Sequence, residues 1–372
     1  MKTKAAILRP NAGKWSVEEI DLDPPKEHEA LVRVVASGMC HSEEHHLTGD
    51  VPIKQASIGG HEVAGIVEEV GPGTTIAKPG DHVVLSSIPT CGRCDPCVTG
   101  HGNLCDEARW IGTGRQILDH TARHHVGGED LNTLCLVGGY AYHTVVNEIS
   151  LVPIPDYVPL DKACILGCGV LTGWGGAVYT GEVRAGEDVT VIGVGGIGGS
   201  AIQGARYAGA RRIFAIDPVP WKREQAMALG ATHTAASIEE AAELIREVTW
   251  GRMSNVTICS MGVGRGAMLP GIMDLCAKHG RVVVINIHPS ADPPPPINML
   301  NLTGWEKQLK GSIFGSVNSR RDIPLLIHLW EEGKLDLDRL VTRTYPGLDS
   351  IHEGYQDMRD GKNLRGVLMM ED

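Results

Sequence analysis

The stretch 187-EDVTVIGVGGIGGSAIQGARYAGARRIFAIDP-218 determines the fold predicted for the second half of the chain. Glu187–Ile192 has the composition of a buried strand. A helical apolar spacing then runs from Gly199 to Ala208 and stops at Gly209, a plausible helix C-cap. Arg212–Ile216 predicts a second strand, which ends at Asp217. Between the first strand and the helix lies a GxGxxG turn with four glycines, Gly193, Gly195, Gly196 and Gly198.

This succession of strand, glycine turn, helix, strand and acid is typical of a Rossmann fold that binds a dinucleotide. The glycines permit a tight turn and close approach of a pyrophosphate, and the helix N-terminus adds N–H groups and positive potential. Asp217 stands where a carboxylate would accept ribose hydroxyls and repel a 2′-phosphate. The pattern therefore favours NAD over NADP, although Lys222 and Arg223 weaken that preference.

The alternation of strands and helices continues further along the chain. A helical pattern over 237–248 is followed by strand signals at Val256–Cys259 and 281–287. Four consecutive prolines, Pro293–Pro296, then exclude a helix or a central strand. We therefore predict a doubly wound parallel sheet with an extended link near its outer edge.

The composition describes a chain of 372 residues, which suits about two domains. Hydrophobic residues make up 42% of it, the formal net charge is −11, and no basic run stands out. We therefore expect neither global disorder nor a nucleic-acid partner. No apolar run reaches the roughly 20 residues that span a bilayer, and the N-terminus has no secretory pattern. These features predict a cytoplasmic protein with no membrane partner, whose 10 cysteines do not form disulfides.

Four of the cysteines form a compact group in the segment 91-CGRCDPCVTGHGNLC-105. Four thiolates fill the tetrahedral coordination of zinc, so such a metal would have no open position for a substrate. Its role would be structural, to hold a glycine-rich loop in one conformation. An iron–sulfur cluster and a chance group of free thiols are the alternatives to zinc. A partner-docking element is the alternative to a folding staple. The predicted ligands are Cys91, Cys94, Cys97 and Cys105.

Three more residues suggest a second metal site. Cys40 follows a predicted strand over Ala30–Ala36, His61 precedes one over Val63–Val70, and Cys168 lies in a glycine-rich turn. Two thiolates and one imidazole leave one tetrahedral position open, as in a catalytic zinc site. Spacing alone does not join these residues, and each taken alone is more often a core residue. The other cysteines have no partner pattern and are expected to be buried bystanders: Cys135, Cys164, Cys259 and Cys276.

Taken together, these motifs resemble the zinc-dependent medium-chain alcohol dehydrogenases over essentially the whole chain. They occur in the family's order: GMCHS at 38–42, GGHE at 59–62, the four cysteines, GCGVLTG at 167–173, GVGGIG at 193–198 and IDP at 216–218. The resemblance implies an α/β protein in which a doubly wound Rossmann domain, residues 170–313, is inserted in a mostly β, GroES-like catalytic domain, residues 1–169 and 314–372. It also implies two zinc ions per chain, NAD, and oxidation of alcohols to aldehydes.

The resemblance further implies roles for single residues of the catalytic domain. Glu62 would be the carboxylate that can approach the metal during ligand exchange. Ser42 would take the alcohol proton and pass it toward His45, although the adjacent His46 could also serve as the outer member of this relay. The catalytic zinc itself would be held by Cys40, His61 and Cys168.

Cofactor contacts are implied in both domains. His41 and Arg365 would contact the pyrophosphate, and Thr172 would lie behind the nicotinamide. The glycine turn would hold the phosphates, and Asp217 and Lys222 would lie toward the adenosine. Because histidine at position 41 replaces a basic residue of many family members, its charge on the cofactor would depend on pH.

Within the family, the chain is most similar to the nitrosoaniline-dependent alcohol dehydrogenases, also called nicotinoproteins. The similarity lies in WSVEE at 15–19, DPVPWKR at 217–223, GYQDM at 354–358 and GKN at 361–363. It implies that NAD(H) stays bound as a prosthetic group and that an external electron acceptor reoxidises it. By its position, Trp221 could pack on the adenosine half and slow release of the cofactor.

The sequence is also compatible with two other functions. A glutathione- or formaldehyde-linked dehydrogenase of the same fold is the alternative enzyme, and a sensor that kept zinc and NAD but lost turnover is the alternative from another class. We expect a homo-oligomer, either a dimer or a tetramer. The long segment 106–140 contains His120, His124 and His125, for which a solvated loop is expected rather than a metal site.

Overall fold

A computed structural model describes residues 1–370 and divides the chain into two compact units. The first unit comprises Met1–Cys168, Asn318–Leu329 and the chain from Val341 onward. The second unit comprises Gly169–Val317 and Trp330–Leu340. One unit is thus inserted in the other, and the fold class implied by the motifs is confirmed.

The first unit begins with a region rich in strands. These are β1 Lys2–Leu8, β2 Trp15–Leu22, β3 Glu29–Gly38, β4 Ser57–Ile58, β5 Glu62–Val70, β6 His82–Leu85, β7 His124–Val126, β8 Glu129–Asp130, β9 Asn132–Thr133, β10 His143–Asn147 and β11 Leu151–Ile154. Its helices are short: α1 His41–Thr48, α2 Asp95–Val98 and α3 Leu160–Ala163.

The second unit alternates helices and strands, and the chain then returns to the first unit. The second unit contains α4 Gly169–Gly175, β12 Asp188–Ile192, α5 Gly196–Tyr207, β13 Arg212–Ile216, α6 Pro220–Leu229, β14 His233–Ala235, α7 Ile238–Val248, β15 Ser254–Cys259, α8 Leu269–Asp274, β16 Cys276–Val284, α9 Met299–Gly304 and β17 Gln308–Gly311. The last elements are α10 Ser319–Glu331, β18 Val341–Pro346, α11 Ile351–Arg359 and β19 Arg365–Met369.

Two mostly antiparallel sheets form the first unit. Their strand orders are β8-β7-β2-β1-β4-β9 and β11-β6-β5-β3-β19-β18, and β10 also pairs with β3. Strand β3 is the centre of the second sheet, because β5, β10 and β19 all pair with it. Branched side chains such as Val32, Val34 and Val63 are fully buried there and form the core of this unit.

The sheet of the second unit is wholly parallel, in the order β14-β13-β12-β15-β16-β17. Every residue of the central strand β12 is buried, as expected for a strand that is covered on both faces. Gly193 has a φ of +91°, and a Cβ on Gly198 would lie only 1.8 Å from the Gly193 carbonyl oxygen. The predicted Rossmann turn is therefore present, and α5 begins three residues earlier than the apolar spacing indicated, at Gly196.

One short segment near the C-terminal end belongs to a different unit than the predicted domain limits indicate. Trp330–Leu340 was expected in the catalytic domain but belongs to the second unit. Gln203 of α5 exchanges hydrogen bonds with the backbone of Asp336, through the Asp336 carbonyl at 3.3 Å and the Asp336 N–H at 2.6 Å. Leu340 packs over Gly199 of the same helix. These contacts fix the segment to α5, and nothing local in the sequence signals them.

The segment 106–140 is not simply a solvated loop. Strand β7 pairs with β2, and His124 within it is buried, which lowers its pKa to about 3. Arg123 is also buried and makes two hydrogen bonds to the Glu29 carboxylate, at 2.8 and 2.6 Å. Among residues 1–370, the three histidines of this segment do not form part of a group of potential metal ligands.

No single helix within residues 1–370 is long and apolar enough to cross a bilayer. Two short consecutive helical segments, 160–167 and 169–180, meet the length and composition criteria only when they are taken together.

Candidate metal centres and cofactor site

The pairing of β3 with β5 brings together residues that are far apart in the sequence. The strands are antiparallel, and Gly38 at the end of β3 lies opposite Glu62 at the start of β5. Cys40 lies two residues after the end of β3 and His61 directly precedes β5, so both are found at the same end of this strand pair. The potential ligand atoms of Cys40, His61, Glu62 and Cys168 all lie within 4.8 Å of one another.

Glycines make this close approach possible at two positions. A Cβ on Gly38 would lie 2.3 Å from Oε2 of Glu62, so any side chain there would displace the carboxylate. Gly60 has a φ of +82°, and a Cβ on it would lie 2.4 Å from the backbone nitrogen of Tyr140. Gly38 of the GMCHS motif and Gly60 of the GGHE motif are therefore required by the local packing.

The two thiols of this site are electrostatically coupled. A hydrogen bond with Cys168 lowers the pKa of Cys40 well below its usual value, and the charges of Arg365 and His61 act in the same direction. The same hydrogen bond and burial raise the pKa of Cys168. The site therefore favours a thiolate at Cys40, which is the form that binds a metal. A soft thiolate, imidazole and carboxylate set, buried and without disulfides, fits zinc.

Glu43 is a site residue that the sequence did not single out. His61 donates a hydrogen bond from Nδ1 to Oε1 of Glu43, which also accepts the Gly60 N–H at 3.2 Å. Burial alone would lower the pKa of His61, but the carboxylate of Glu43 and the nearby thiols hold it well above its usual value. With Nδ1 engaged in this way, Nε2 of His61 is the nitrogen left for a metal.

Arg365 lies beside the same site. Its guanidinium is 3.0 Å from Oε1 of Glu62 and donates to the Met39 carbonyl at 2.9 Å. Both side chains of this ion pair are buried, and burial raises the pKa of Glu62 to about 7 even though Arg365 opposes that shift. The contacts of Arg365 in this structure are thus with residues of the metal site, and its expected role at the pyrophosphate stays a prediction.

Helix α1 carries the residues expected to move the proton. Oγ of Ser42 lies 3.5 Å from Sγ of Cys40, so the hydroxyl faces the metal site. His45 is buried and donates from Nδ1 to Oδ2 of Asp50 at 3.2 Å. His46 instead donates from Nδ1 to the Val51 carbonyl at 2.6 Å. His41 is the first residue of this helix, directly after Cys40.

The four-cysteine segment forms a second compact group of thiols. The sulfurs of Cys91 and Cys97 are 4.0 Å apart, and those of Cys94 and Cys105 are 3.9 Å apart. These distances are close to the edge of about 3.8 Å in a tetrahedron with zinc–sulfur bonds of about 2.3 Å. Burial raises the pKa of Cys91, but backbone N–H groups that point at its sulfur lower it to about 7. The residues present fit a structural zinc ion.

The glycine turn and Asp217 lie together in the second unit. Oδ2 of Asp217 accepts the Val194 N–H at 2.8 Å, and Oδ1 accepts the Val219 N–H at 2.9 Å, so the carboxylate is held against the turn. Arg223 donates to the carbonyls of Asp217 and Pro218, at 2.7 and 3.0 Å, and is thus partly engaged with the backbone. A carboxylate held at this turn fits the ribose of NAD.

The remaining predicted cofactor residues flank this turn. Thr172 is buried in α4, and a Cβ on the adjacent Gly173 would lie 2.0 Å from the Ile197 carbonyl, so α4 packs tightly on the start of α5. Nζ of Lys222 lies 6.0 Å from the centre of the Trp221 ring, and burial lowers the pKa of this lysine. Their roles in binding the cofactor stay predictions.

Comparison with known proteins identifies two family domains. Residues 26–156 match the alcohol dehydrogenase GroES-like domain, and residues 196–332 match the zinc-binding dehydrogenase domain. The chain is 44% identical to the NDMA-dependent alcohol dehydrogenase of Amycolatopsis methanolica over 372 residues, which cover 99% of each chain. It is 43% identical to alcohol dehydrogenase B of Mycobacterium tuberculosis over 373 residues, which cover 100% of this chain and 99% of that one.

Solved structures give the same result. An alcohol dehydrogenase zinc-binding domain protein from Burkholderia ambifaria aligns over 100% of both chains with a TM-score of 0.92 and 31% identity. Benzyl alcohol dehydrogenase from Acinetobacter calcoaceticus also aligns over 100% of both chains, with a TM-score of 0.90 and 28% identity. With the thiol and histidine sites in place, these similarities show that the chain belongs to the zinc-dependent medium-chain alcohol dehydrogenase family.

Proposed function

We propose that this chain oxidises alcohols to aldehydes with zinc and NAD, and that side chains of the first unit carry the chemistry. The observation that carries the proposal is the group of buried Cys40 and His61 with partly exposed Cys168, and the Ser42 hydroxyl beside Cys40. Three nitrogen and sulfur ligands leave one tetrahedral position for a substrate oxygen. When bound there, zinc supplies Lewis acidity that lowers the pKa of an alcohol, and NAD supplies the hydride acceptor.

The protein's own part is to orient the alcohol and remove its proton. Ser42 would accept the hydroxyl proton of the alcohol and pass on its own proton toward His45. The start of α1 is fixed by Glu43, which holds His61, and by Glu44, which accepts two hydrogen bonds from Arg359 at 2.8 and 3.1 Å. This anchoring keeps the Ser42 hydroxyl at a constant distance from the metal ligands.

The buried Glu62 and Arg365 would tune the same site. A buried Glu62 carboxylate beside two thiolates would be unfavourable without an opposite charge. The Arg365 guanidinium supplies that charge through its ion pair with Glu62. Glu62 is one of the four residues whose ligand atoms lie together, which supports its expected approach to the metal during ligand exchange. We propose Glu62 as a catalytic-site residue and Arg365 as a contact of the cofactor pyrophosphate.

The second unit would bind NAD. The N-terminus of α5 offers its N–H groups to the pyrophosphate, at the turn formed by the four glycines of residues 193–198. The Asp217 carboxylate would accept the ribose hydroxyls, which supports NAD rather than NADP. Thr172, Lys222 and, from the first unit, His41 complete the proposed set of cofactor contacts.

We also propose that the cofactor remains bound between turnovers. The support is the 44% identity to an NDMA-dependent relative, together with Trp221 placed close after Asp217. A tightly held NADH must then be reoxidised in place by an external electron acceptor. Because all ten cysteines are free thiols, including the six proposed as metal ligands, we propose that the enzyme works in the reducing cytoplasm.

A homo-oligomer is the proposed assembly, and the support is an exposed apolar edge of the second unit. Strand β17 is an edge strand of the parallel sheet and pairs with β16. An exposed sheet edge with apolar side chains invites pairing with another chain. Leu309 of β17 is exposed, and so are four apolar residues of the chain segments on either side of this strand: Met299, Leu300, Trp305 and Ile313.

The role of Ser42 predicts a specific loss of activity. In Ser42→Ala the alcohol proton has no acceptor, so alcohol oxidation should fall by about 10² to 10⁴-fold while the zinc content stays unchanged. Ser42→Thr, which keeps the hydroxyl, should retain most of the activity. Steady-state rates with a primary alcohol and metal analysis of each variant test this. Unchanged turnover in Ser42→Ala would reject the proposed proton route.

The nicotinoprotein proposal predicts nicotinamide in the purified protein. Denaturation of the protein as isolated, with no NAD added, should release close to one equivalent of NAD and NADH together. Chromatographic quantification against the protein concentration measures the ratio. An empty protein that turns over with free NAD would contradict a permanently bound cofactor and leave the dehydrogenase assignment intact.

The four-cysteine group predicts a metal-dependent stability. Cys97→Ser removes one thiolate, so the variant should lose one zinc ion per chain and unfold at a clearly lower temperature. Cys276→Ala, a buried cysteine outside both ligand groups, is the matched control and should retain its zinc. Metal analysis and thermal unfolding measure both effects. A Cys97→Ser protein that loses the metal but keeps its unfolding temperature would favour the docking role.

The proposed interface predicts that a charge on β17 disrupts the oligomer. Leu309→Lys places an ammonium group in the apolar edge, so the molar mass in solution should fall toward that of one chain of 39.8 kDa. Met227→Lys, at an exposed position on α6, should leave the mass unchanged. Light scattering after size-exclusion chromatography gives the mass. A wild-type protein that is already monomeric would exclude the proposal.

A further inference from the structure

Three buried aromatic side chains of the first unit have no role in the function described so far. Trp15 of β2, Tyr140 in the segment before β10 and Tyr355 of α11 are at most 2% exposed. The centre of the Trp15 ring lies 5.4 Å from that of Tyr140, edge to face, and 6.2 Å from that of Tyr355, in a stacked arrangement. These three residues, the aromatic cluster, therefore join three distant segments of the chain at one place.

The central member of this cluster, Tyr140, holds the turn that precedes His61. The Gly139 N–H donates to the Gly60 carbonyl at 2.7 Å, and the Tyr140 N–H donates to the Gly59 carbonyl at 2.8 Å. The ring covers the same two glycines, because a Cβ on Gly60 would lie 2.6 Å from Cδ1 of Tyr140 and one on Gly59 would lie 2.7 Å from Cδ2. Two hydrogen bonds and the ring itself thus hold this turn against Tyr140.

The turn passes this restraint on to the imidazole of His61. The N–H of Gly60 donates to Oε1 of Glu43 at 3.2 Å, and the same oxygen accepts the hydrogen bond from His61. A shift of Gly60 would therefore change the bond that orients the His61 ring. Glu43 acts on Tyr140 as well, since burial and the charge of this carboxylate raise the pKa of the Tyr140 hydroxyl well above its usual value.

The hydroxyl end of Tyr140 contacts the other segment that carries a metal ligand. It donates to the carbonyl of Gly38 at 3.4 Å, and Gly38 ends β3 two residues before Cys40. Because a hydroxyl has one proton to donate, Tyr355 is the donor in the 2.8 Å bond between the two hydroxyls. The Tyr140 side chain thus spans the distance from the turn before His61 to the strand end before Cys40.

We propose that Tyr140 is a positioning residue that fixes the separation of Cys40 and His61, and with it how firmly the site holds zinc, an inference that rests on the zinc site of the proposed function. The Tyr355 hydroxyl and the Trp15 ring hold Tyr140 in its own position. Groups that support metal ligands from outside contribute to metal affinity because they restrict the directions in which the ligands point. The buried rings also exclude water, which strengthens the hydrogen bonds beside them.

The test uses the holoenzyme and measures how fast each zinc ion leaves it. Tyr140→Phe keeps the ring but removes the hydroxyl, so release of the catalytic ion to an excess of the chelator pyridylazoresorcinol should become about 10-fold faster. The release phase that is missing in Cys40→Ala identifies that ion. Tyr355→Phe should change the rate in the same direction by less, and the ion of the four-cysteine group should leave at an unchanged rate.

Cobalt substitution gives a second readout that does not depend on metal release. With Co²⁺ in place of the catalytic zinc, the visible ligand-field absorption reports the geometry of the ligands, so its bands should shift in Tyr140→Phe. Tyr345→Phe is the matched control, since this hydroxyl is also buried but bonds to Asp357 at 3.0 Å and to Asn363 at 3.2 Å. The control should lower the unfolding temperature without changing the cobalt bands or the release of zinc.

The outcomes separate positioning of the ligands from general loosening of the unit. If Tyr140→Phe does not fold, Tyr355→Phe carries the test. Unaltered zinc release with unaltered cobalt bands would overturn the inference, and so would equal changes in Tyr345→Phe.

The same measurements distinguish this inference from the proposed function, because neither readout requires turnover. A protein that binds both zinc ions but does not oxidise alcohols would contradict the proposed function, while the metal readouts would still decide the role of Tyr140. Normal alcohol oxidation with unaltered metal readouts in Tyr140→Phe would reject only the inference.

Discussion

The antiparallel pairing of β3 with β5 is the constraint on which the site depends. It places Gly38 opposite Glu62, and so brings the residues that follow one strand against those that precede the other. Cys40 and His61 become neighbours although 20 residues separate them in the sequence. The register leaves no freedom, because a one-residue slip would turn the Glu62 side chain to the opposite face of the sheet.

A buried cluster of ionisable groups needs compensation, and the structure supplies it with pairs. Glu43 holds His61, and the Arg365 guanidinium pairs with Glu62 and also interacts with the thiols of Cys40 and Cys168. Each of these groups would be unfavourable alone in the protein interior. Together they keep the thiol of Cys40 in its ligand form and restrict the orientation of the imidazole. Near the end of α1 a carboxylate also contacts a buried imidazole, since Asp50 accepts the hydrogen bond from Nδ1 of His45.

The sequence was most informative where function is carried by local motifs. The glycine turn, Asp217 and the four-cysteine segment lie in short continuous stretches, and the structure brings the residues of each together. The sequence was least informative for contacts between distant segments. The sequence spacing identifies neither the contact of Glu43 with His61 nor the Glu62–Arg365 ion pair. The place of Trp330–Leu340 in the second unit depends on tertiary hydrogen bonds to α5. Such contacts follow from the folded topology rather than from any local period.

The central claim, that two thiol-rich groups hold two different zinc ions, is tested most directly by zinc X-ray absorption spectroscopy combined with metal analysis. Two zinc ions per chain are expected, one bound by four sulfurs and one bound by two sulfurs, one nitrogen and one oxygen. Cys40→Ala should leave one zinc ion with a purely sulfur environment. A single zinc ion in the unaltered protein, or an average environment that Cys40→Ala does not change, would contradict the account.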